Sequence, residues 1–227
     1  MYFSNASSLP PRLPFLSSIL KAAVARRSGG DNTSFNLVAL SYRGFWRSKG
    51  RPSQAGIELD VESALHWMFD KYQDPNTSIV VWGQSIGSGA ASVGLANLLD
   101  SVQARSTLSK VIGLLLETPF VDTRSMLVAL YPQKFLPYRY LAPFLRSTWD
   151  SKNALDKIAN AKTGLRVLIL QAGEDEIVPK EQAPILEDVC RSKNLNVERR
   201  VIAGALHTEV MMKGQGRSAI AGFLASF

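Results

Sequence analysis

The five residues at positions 83–87, GQSIG, constrain the fold of this chain more than any other segment. They follow the apolar run 79–82 and precede a stretch of small and apolar residues at 88–99, so they predict a tight turn between a buried strand and a buried helix. A serine in such a turn has a strained backbone, which leaves no room for side chains two positions before or after it. Gly83 and Gly87 occupy those two positions. The pattern predicts a nucleophile elbow that presents Ser85.

The rest of the chain alternates apolar runs with amphipathic segments, which is typical of a parallel sheet covered by helices. With 227 residues, of which 46% are hydrophobic and 20% charged, the chain is long enough for one domain with a sizeable core. We therefore predict a single α/β domain over residues 1–227. The predicted strands are 35–41, 78–82, 111–116, 165–171 and 197–202.

One segment of the chain shows a clear helical pattern, and another shows no regular pattern at all. After Pro52, apolar residues recur every three or four positions, which predicts a helix that Ser53 caps. The region 121–160 instead combines three prolines with six aromatic residues, so it suits neither one long helix nor a solvated linker. We predict that this region is a small cap inserted over the sheet.

A serine hydroxyl needs a base to become a nucleophile, and the chain has only two histidines. His66 lies on the polar face of the predicted helix between Glu62 and Asp70, so we interpret it as a surface residue. His207 follows the last predicted strand in a Gly/Ala-rich loop, where an α/β sheet presents groups to ligands. We predict that His207 is the base.

The third member of such a triad is an acid between the serine and the histidine in the sequence. The segment 173–179, GEDEIVP, follows the strand 165–171 and offers three acids in a row. We choose Asp175, with Glu174 or Glu176 as the alternatives; the latter two are otherwise solvated loop charges. The backbone amide of Ile86, at a helix N-terminus, is a candidate donor to an oxyanion.

Charge and composition limit the partners of this chain. The formal net charge of +7 favours anionic surfaces, and a basic loop at 43–51 that also holds Phe45 and Trp46 predicts contact with an anionic membrane surface or an acidic substrate, unless it is only a solvated rim. No nucleic-acid-binding motif accompanies the charge, so we predict no nucleic-acid role. The single cysteine, Cys190, and two histidines predict no metal site, and triad chemistry needs no cofactor.

The serine motif, the segment 173–179, His207, and the segments SYRG at 41–44 and ETPF at 117–120 together resemble the α/β-hydrolase superfamily. The resemblance extends over nearly the whole chain and is nearest to the fungal bud-emergence-related and animal alpha/beta hydrolase domain-containing protein 13 group. It implies a serine hydrolase of esters or thioesters. Members of the group are often membrane-associated, whereas this chain shows neither a signal peptide nor a membrane-spanning segment, so its location stays undetermined.

Compared with members of this family, the sequence differs at its N-terminus. Family members have a His-Gly-Asn-Ala segment after their third strand, whose backbone supplies the second oxyanion donor; here the chain begins MYFSNA, which puts Asn5 in that role. The strands before it are missing, so we expect a shortened sequence. Loss of the central third strand predicts either a gap between two strands or their direct pairing.

These features predict a serine hydrolase that cleaves a carboxylic ester or an acyl thioester through Ser85, His207 and Asp175 by way of an acyl-enzyme. The aromatic cap favours an apolar acyl group on a small ester or an acylated protein. Two alternatives stay open. One is a serine-aminopeptidase-like peptidase of the same fold, and the other is a non-catalytic interaction protein with a degenerate oxyanion segment.

Overall fold

The computed structural model describes residues 2–3, 9–27, 33–100, 107–131, 133, 144–161 and 164–227. Within this part of the chain the strands form one parallel sheet with the order β2-β1-β3-β4-β5-β6. The strands are β1 (Tyr2–Phe3), β2 (Ala39–Leu40), β3 (Ile79–Gln84), β4 (Val111–Glu117), β5 (Arg166–Ala172) and β6 (Asn196–Ile202). The helices are α1 (Leu13–Arg26), α2 (Gln54–Lys71), α3 (Ile86–Asp100), α4 (Thr123–Leu130), α5 (Ser151–Ala161), α6 (Gln182–Ser192) and α7 (Gly214–Ala225).

Helices cover both faces of the sheet, which explains the continuous apolar runs of its inner strands. In β4, Leu114 and Leu116 face the side covered by α2, α3, α5 and α6, whereas Leu115 faces the side covered by α1 and α7. All three leucines are fully buried. The predicted α/β class is confirmed, and four of the five predicted strands agree with the observed ones to within two residues.

The structure contradicts both alternatives expected for the centre of the sheet, a gap and a direct pairing of β2 with β3. The two-residue strand β1 lies between β2 and β3 and pairs with both, with Tyr2 opposite Ala39 on one side and opposite Trp82 on the other. The Tyr2 side chain is fully buried and its ring contacts the Trp82 ring edge-to-face at a centroid distance of 4.8 Å. Two residues therefore satisfy the backbone groups that would otherwise be unpaired. The predicted strand 35–41 is reduced to Ala39–Leu40, which matches the length of its partner.

The prediction for α2 is confirmed at its N-terminus. Ser53 has an extended backbone, and its hydroxyl accepts a hydrogen bond from the Gly56 amide at 3.2 Å, as an N-cap does. The buried face of the helix includes Ile57, Val61 and Leu65, whose spacing the sequence displays. The helix therefore packs one apolar stripe against the core and leaves its other face in solvent.

The region predicted as a cap, residues 121–160, divides into two parts. At its C-terminal end, α5 buries Ala154, Leu155 and Ile158 in the core beside α3 and α6. This helix belongs to the layer that covers the sheet, so the cap boundary at residue 160 needs correction to a position before Ser151. Residues 132 and 134–143 lie outside the described residues, and the cap itself stays a prediction.

All six strands run in the same direction, so their carboxyl ends meet at one edge of the sheet. The turn at Ser85 follows β3, the acidic segment follows β5 and the His207 loop follows β6. Among the helices in the described ranges, none combines the length and the apolar character that crossing a bilayer requires.

Candidate active site

The turn between β3 and α3 puts Ser85 in a left-handed backbone conformation, with φ of +53°. A Cβ atom on Gly83 would lie 2.2 Å from the carbonyl oxygen of Gly87 and 2.6 Å from the Cα of Ser88, so glycine is required there. The Ser85 amide donates to the carbonyl of Glu117 at 2.8 Å, and the Ser88 hydroxyl donates to the carbonyl of Ser85 at 2.5 Å. These contacts hold the strained turn in place.

The structure brings Ser85, His207 and Asp175 together in one chain of hydrogen bonds. Nε2 of His207 lies 2.8 Å from Oγ of Ser85, and Nδ1 of His207 lies 3.0 Å from both carboxylate oxygens of Asp175. Because an ionised carboxylate only accepts hydrogen bonds, Nδ1 carries the proton and Nε2 is left to accept from the serine. The His207 ring and the Asp175 carboxylate are almost completely buried.

The acidic segment and the histidine loop are joined by main-chain contacts as well. The amides of Gly173 and Glu174 each donate at 2.9 Å, to the carbonyls of Ile202 and Ala205 respectively. The His207 amide donates to a carboxylate oxygen of Glu176 at 2.8 Å. Glu176 is an exposed loop residue, as predicted, and its carboxylate in addition holds the backbone of the histidine. Asp175, rather than either neighbouring glutamate, contacts the imidazole ring.

Two opposing effects act on the pKa of Asp175. Burial alone would raise it, but hydrogen bonds from His207 and from the amides of Val178 and Ile177 stabilise the carboxylate, and the net pKa lies below its ordinary value. Asp175 is therefore ionised at neutral pH, as an acid that orients a histidine must be.

The two predicted oxyanion donors differ in what the structure says about them. Ile86 is the first residue of α3, where a backbone N–H has no acceptor within the helix and the helix dipole favours negative charge. Its amide therefore adjoins Ser85 and is available for an oxyanion. Asn5 lies outside the described residues, so its role stays a prediction.

A buried polar network lies next to the turn, and the sequence reasoning missed it. The Glu117 carboxylate, at the end of β4, accepts from Trp82 Nε1 at 3.2 Å, from Gln84 Nε2 at 3.1 Å and from the Met211 amide. Gln84 Oε1 in turn accepts from Arg12, which also donates to the Tyr2 hydroxyl at 3.0 Å. An acidic residue that ends an otherwise apolar strand was the only sequence signal of this network.

The other reactive groups of the chain stand apart from this cluster. Burial and the nearby Glu187 carboxylate raise the pKa of the Cys190 thiol to about 12, so it is not a nucleophile at neutral pH. His66 is exposed and lies 3.8 Å from Glu62 on α2, as predicted. Among the described ranges, no group of three or more His, Cys, Asp or Glu residues is arranged to hold a metal ion.

Comparison with known proteins identifies related chains. The chain is 31% identical over 193 residues to the protein bem46 of Schizosaccharomyces pombe, a match that covers 85% of this chain and 56% of bem46. It is 31% identical over 173 residues to the lysophosphatidylserine lipase ABHD12 of Danio rerio, which covers 73% of this chain and 42% of that protein. The chain thus spans about half the length of the curated relatives it matches. No family model matches the sequence.

Solved structures give the same fold. The esterase Pf2001 of Pyrococcus furiosus superposes on the whole chain with a TM-score of 0.66 and 18% sequence identity, over 81% of the esterase chain. The sheet order and the elbow after β3 belong to the α/β-hydrolase fold, and the chain is a member of that superfamily. Within the superfamily it is similar to the group that includes bem46 and ABHD12, in agreement with the resemblance seen in the sequence.

Substitution of Gly83 by alanine tests the packing of the turn. We expect Gly83→Ala to lower the free energy of unfolding by about 2 kcal/mol or more, because the new methyl group overlaps backbone atoms that cannot move independently. Gly214→Ala is the matched control, since a Cβ there meets nothing within 4 Å. Urea denaturation of the three proteins measures the difference, and equal stability of both variants would contradict the close approach.

Proposed function

We propose that this protein is a serine hydrolase that cleaves acyl esters through Ser85, His207 and Asp175. The observation that carries the proposal is the continuous hydrogen-bond chain from the Ser85 hydroxyl through the imidazole to the Asp175 carboxylate. A serine, a histidine and a carboxylate with these spacings form the arrangement that activates a hydroxyl in acyl transfer. The similarity to the esterase Pf2001 and to the lysophosphatidylserine lipase ABHD12 supports this class.

In the proposed reaction, Oγ of Ser85 attacks the acyl carbonyl carbon while Nε2 of His207 removes its proton. Asp175 keeps the imidazole oriented and stabilises the positive charge that forms on it. The carbonyl oxygen becomes an oxyanion that accepts a hydrogen bond from the Ile86 amide, with Asn5 as the proposed second donor. His207 then protonates the leaving alcohol, which departs and leaves an acyl-serine. A water molecule, deprotonated by His207, then attacks the acyl carbon. The bond between that carbon and Oγ of Ser85 breaks, His207 returns the proton to Oγ, and the carboxylic acid leaves.

An apolar acyl group fits the surroundings of the triad. Each triad residue has an exposed aliphatic residue next to it or two positions away: Ile86, Ile177 and Leu206 are 36%, 41% and 43% exposed. Solvent-exposed aliphatic side chains beside a nucleophile favour a substrate that covers them. We therefore place an ester or thioester of a medium or long acyl chain, on a small molecule or on an acylated protein, ahead of a peptide as the substrate.

Labelling with a fluorophosphonate tests the nucleophile. We expect the native protein to be labelled, and Ser85→Ala to lose labelling completely because the Ser85 hydroxyl is the group that lies 2.8 Å from Nε2 of His207. His207→Ala should lower the labelling rate by about 10⁴-fold, and Asp175→Asn by a similar factor. Gel fluorescence at several times after mixing measures the rates.

The chain provides matched controls for these variants. Ser63→Ala alters an exposed serine on α2, and His66→Ala alters the exposed histidine of the same helix, so both should label like the native protein. A folded native protein that remains unlabelled would instead support the non-catalytic alternative. Turnover of an aminoacyl arylamide but not of acyl esters would support the peptidase.

The length of the acyl chain tests the aliphatic rim. We expect Ile177→Ser to lower kcat/KM for an octanoyl ester by about fivefold and to leave the acetyl ester unchanged, because about 0.8 kcal/mol is gained per buried methylene only where the chain reaches. Ile185→Ser is the control, since Ile185 is equally exposed but lies on α6. An equal loss for both esters would contradict contact with the acyl chain.

A second surface near the same edge of the sheet fits an anionic membrane. The loop after β2 presents Trp46, which is 57% exposed, with the exposed side chains of Arg47, Lys49 and Arg51. The fourth basic residue, Arg43, forms an ion pair with Asp60, with 2.7 Å between Nη2 and Oδ1, so we assign it a structural role. The Arg47 guanidinium lies over the Trp46 ring at 5.6 Å from its centroid. An exposed tryptophan among exposed basic side chains suits the headgroup region of a bilayer. We propose that this loop binds anionic lipid surfaces.

Vesicle sedimentation tests the loop. We expect binding to phosphatidylcholine vesicles that contain about 30% phosphatidylserine, and about tenfold weaker binding for the double variant Arg47→Gln/Lys49→Gln, because each basic residue near the surface adds attraction. Lys71→Gln/Lys152→Gln removes the same charge from α2 and α5 and is the control. Equal binding of both variants would show that net charge alone is responsible.

A further inference from the structure

The Glu117 carboxylate is a buried ionisable group that the proposed reaction does not use. It has no exposure to solvent, and its three hydrogen-bond donors come from two segments: Trp82 and Gln84 on β3, and the main chain at Met211. A buried carboxylate is costly unless several donors satisfy it, and a position that serves packing alone would be better filled by an apolar residue. A specific role therefore needs to explain its presence.

The donors of Glu117 belong to the two segments that carry the reacting groups. Gln84 directly precedes Ser85, and the Ser85 amide donates to the main-chain carbonyl of Glu117 at 2.8 Å. Met211 lies in the short 3-10 turn Val210–Met212, four residues after His207. One side chain thus connects the serine turn and the histidine loop, which are 122 residues apart in the sequence.

The backbone after Glu117 is itself constrained. Thr118 has a φ of +48°, an unusual value for a β-branched residue, and its amide donates to the Leu170 carbonyl at 2.7 Å. The strand β4 therefore ends abruptly at Glu117, and the carboxylate is held in a fixed position below the turn. Fixed geometry is what a group must have to set the distance between two others.

We propose that Glu117 is a positioning residue that holds Ser85 and His207 at their reacting distance, and that it does so only in its ionised form. The proposal rests on the proposed function of Ser85 and His207. Three N–H donors point at the two carboxylate oxygens, and a protonated carboxyl group would put its own hydrogen among them. Protonation would therefore loosen the link between the serine turn and the histidine loop.

The charged and titratable groups around Glu117 determine the pH at which its carboxylate is protonated. Burial raises the pKa of Glu117, while Arg12 and the three hydrogen bonds lower it, with a net pKa of about 7. Arg12, from the turn before α1, lowers the pKa of Glu117 through its charge and also donates to Gln84. Tyr2, from β1, donates to Gln84, and the residue in register with Glu117 on β5 is Leu170. The change in protonation therefore falls within the range where activity is measured.

Stability should depend on pH with a defined sign. A carboxyl group whose pKa is higher in the folded chain than in the unfolded chain contributes stability at low pH, and this contribution disappears as the pH rises from about 4.5 through about 7. Activity should change in the opposite direction, since the ionised form is the one that positions the triad. This opposition distinguishes a positioning role from a purely structural one, in which activity would follow stability.

The test compares Glu117→Gln with the native protein and with Glu181→Gln, which alters an exposed glutamate before α6. We expect folded Glu117→Gln to show a fluorophosphonate labelling rate and a kcat about 10- to 100-fold lower, with KM within about twofold, and to lose the part of the acidic limb of the pH–rate profile that belongs to Glu117. Native kcat and an unchanged pH profile in a folded variant would overturn the proposal.

A second measurement covers the case in which Glu117→Gln does not fold. In the His207→Gln variant, which removes the imidazole, the indole N–H resonance of Trp82 should shift with pH around 7, because that N–H donates to Glu117. Trp82→Phe assigns the resonance among the four tryptophans. An indole resonance that stays constant from pH 5.5 to 8.5 would overturn the proposal, whereas absent labelling of native protein with a titrating indole would contradict only the proposed hydrolase function.

Discussion

The backbone turn at Ser85 is the constraint on which the rest of the site depends. A left-handed serine costs roughly 1–3 kcal/mol relative to an ordinary conformation, so the surrounding contacts must impose it. They do so from both sides: Gly83 lets the chain cross the carbonyl of Gly87, and the Ser85 amide bonds to β4. Because α3 starts at the next residue, the same turn puts the Ile86 amide in the first turn of a helix, directly after Ser85.

Two carboxylates near this turn show how local surroundings decide protonation. Asp175 and Glu117 are both in largely buried positions, and burial is the largest effect on the pKa of each. At Asp175, the His207 ring and two loop amides outweigh burial, and the pKa falls. At Glu117, burial is complete and the donors compensate only in part, and the pKa rises to about 7. One acid is thus permanently charged beside the imidazole, whereas the other changes its charge near neutrality.

Local sequence patterns were sufficient for the inner part of the fold. The strands β3, β4 and β5 are largely apolar runs covered on both faces, and such runs are visible without a partner. The strand β6, at the end of the described sheet, buries Val197 and Ile202 but leaves Glu198 and Arg200 exposed. The position of Tyr2–Phe3 was not predictable, because two residues show no periodicity and their strand exists only through pairing with β2 and β3. The helix α5 was not predicted either. The prolines and aromatic residues that precede it led to the whole region 121–160 being interpreted as a cap, although α5 has an apolar face of its own.

In the proposed site, too, some features could be predicted from local sequence patterns and others depend on the assembled sheet. The motif around Ser85 and the loop positions of Asp175 and His207 can be read from the sequence, because parallel strands bring their carboxyl ends to one edge. Two contacts could not be read from it: Glu176 accepts from the His207 amide, and Glu117 accepts from residues on two distant segments. Both depend on side chains that meet only once the sheet is assembled, and neither involves a residue pattern with a fixed spacing.

The network around Glu117 also changes how a pH–rate profile of this protein should be interpreted. In a triad without such a group, loss of activity at low pH is assigned to the histidine. Here the Glu117 carboxylate, which accepts hydrogen bonds from both the serine turn and the histidine loop, has a pKa of about 7, so a midpoint near neutrality does not by itself identify the histidine. Only the removal of one of these two groups at a time separates proton transfer from positioning, because the two effects act on the same distance between Oγ of Ser85 and Nε2 of His207.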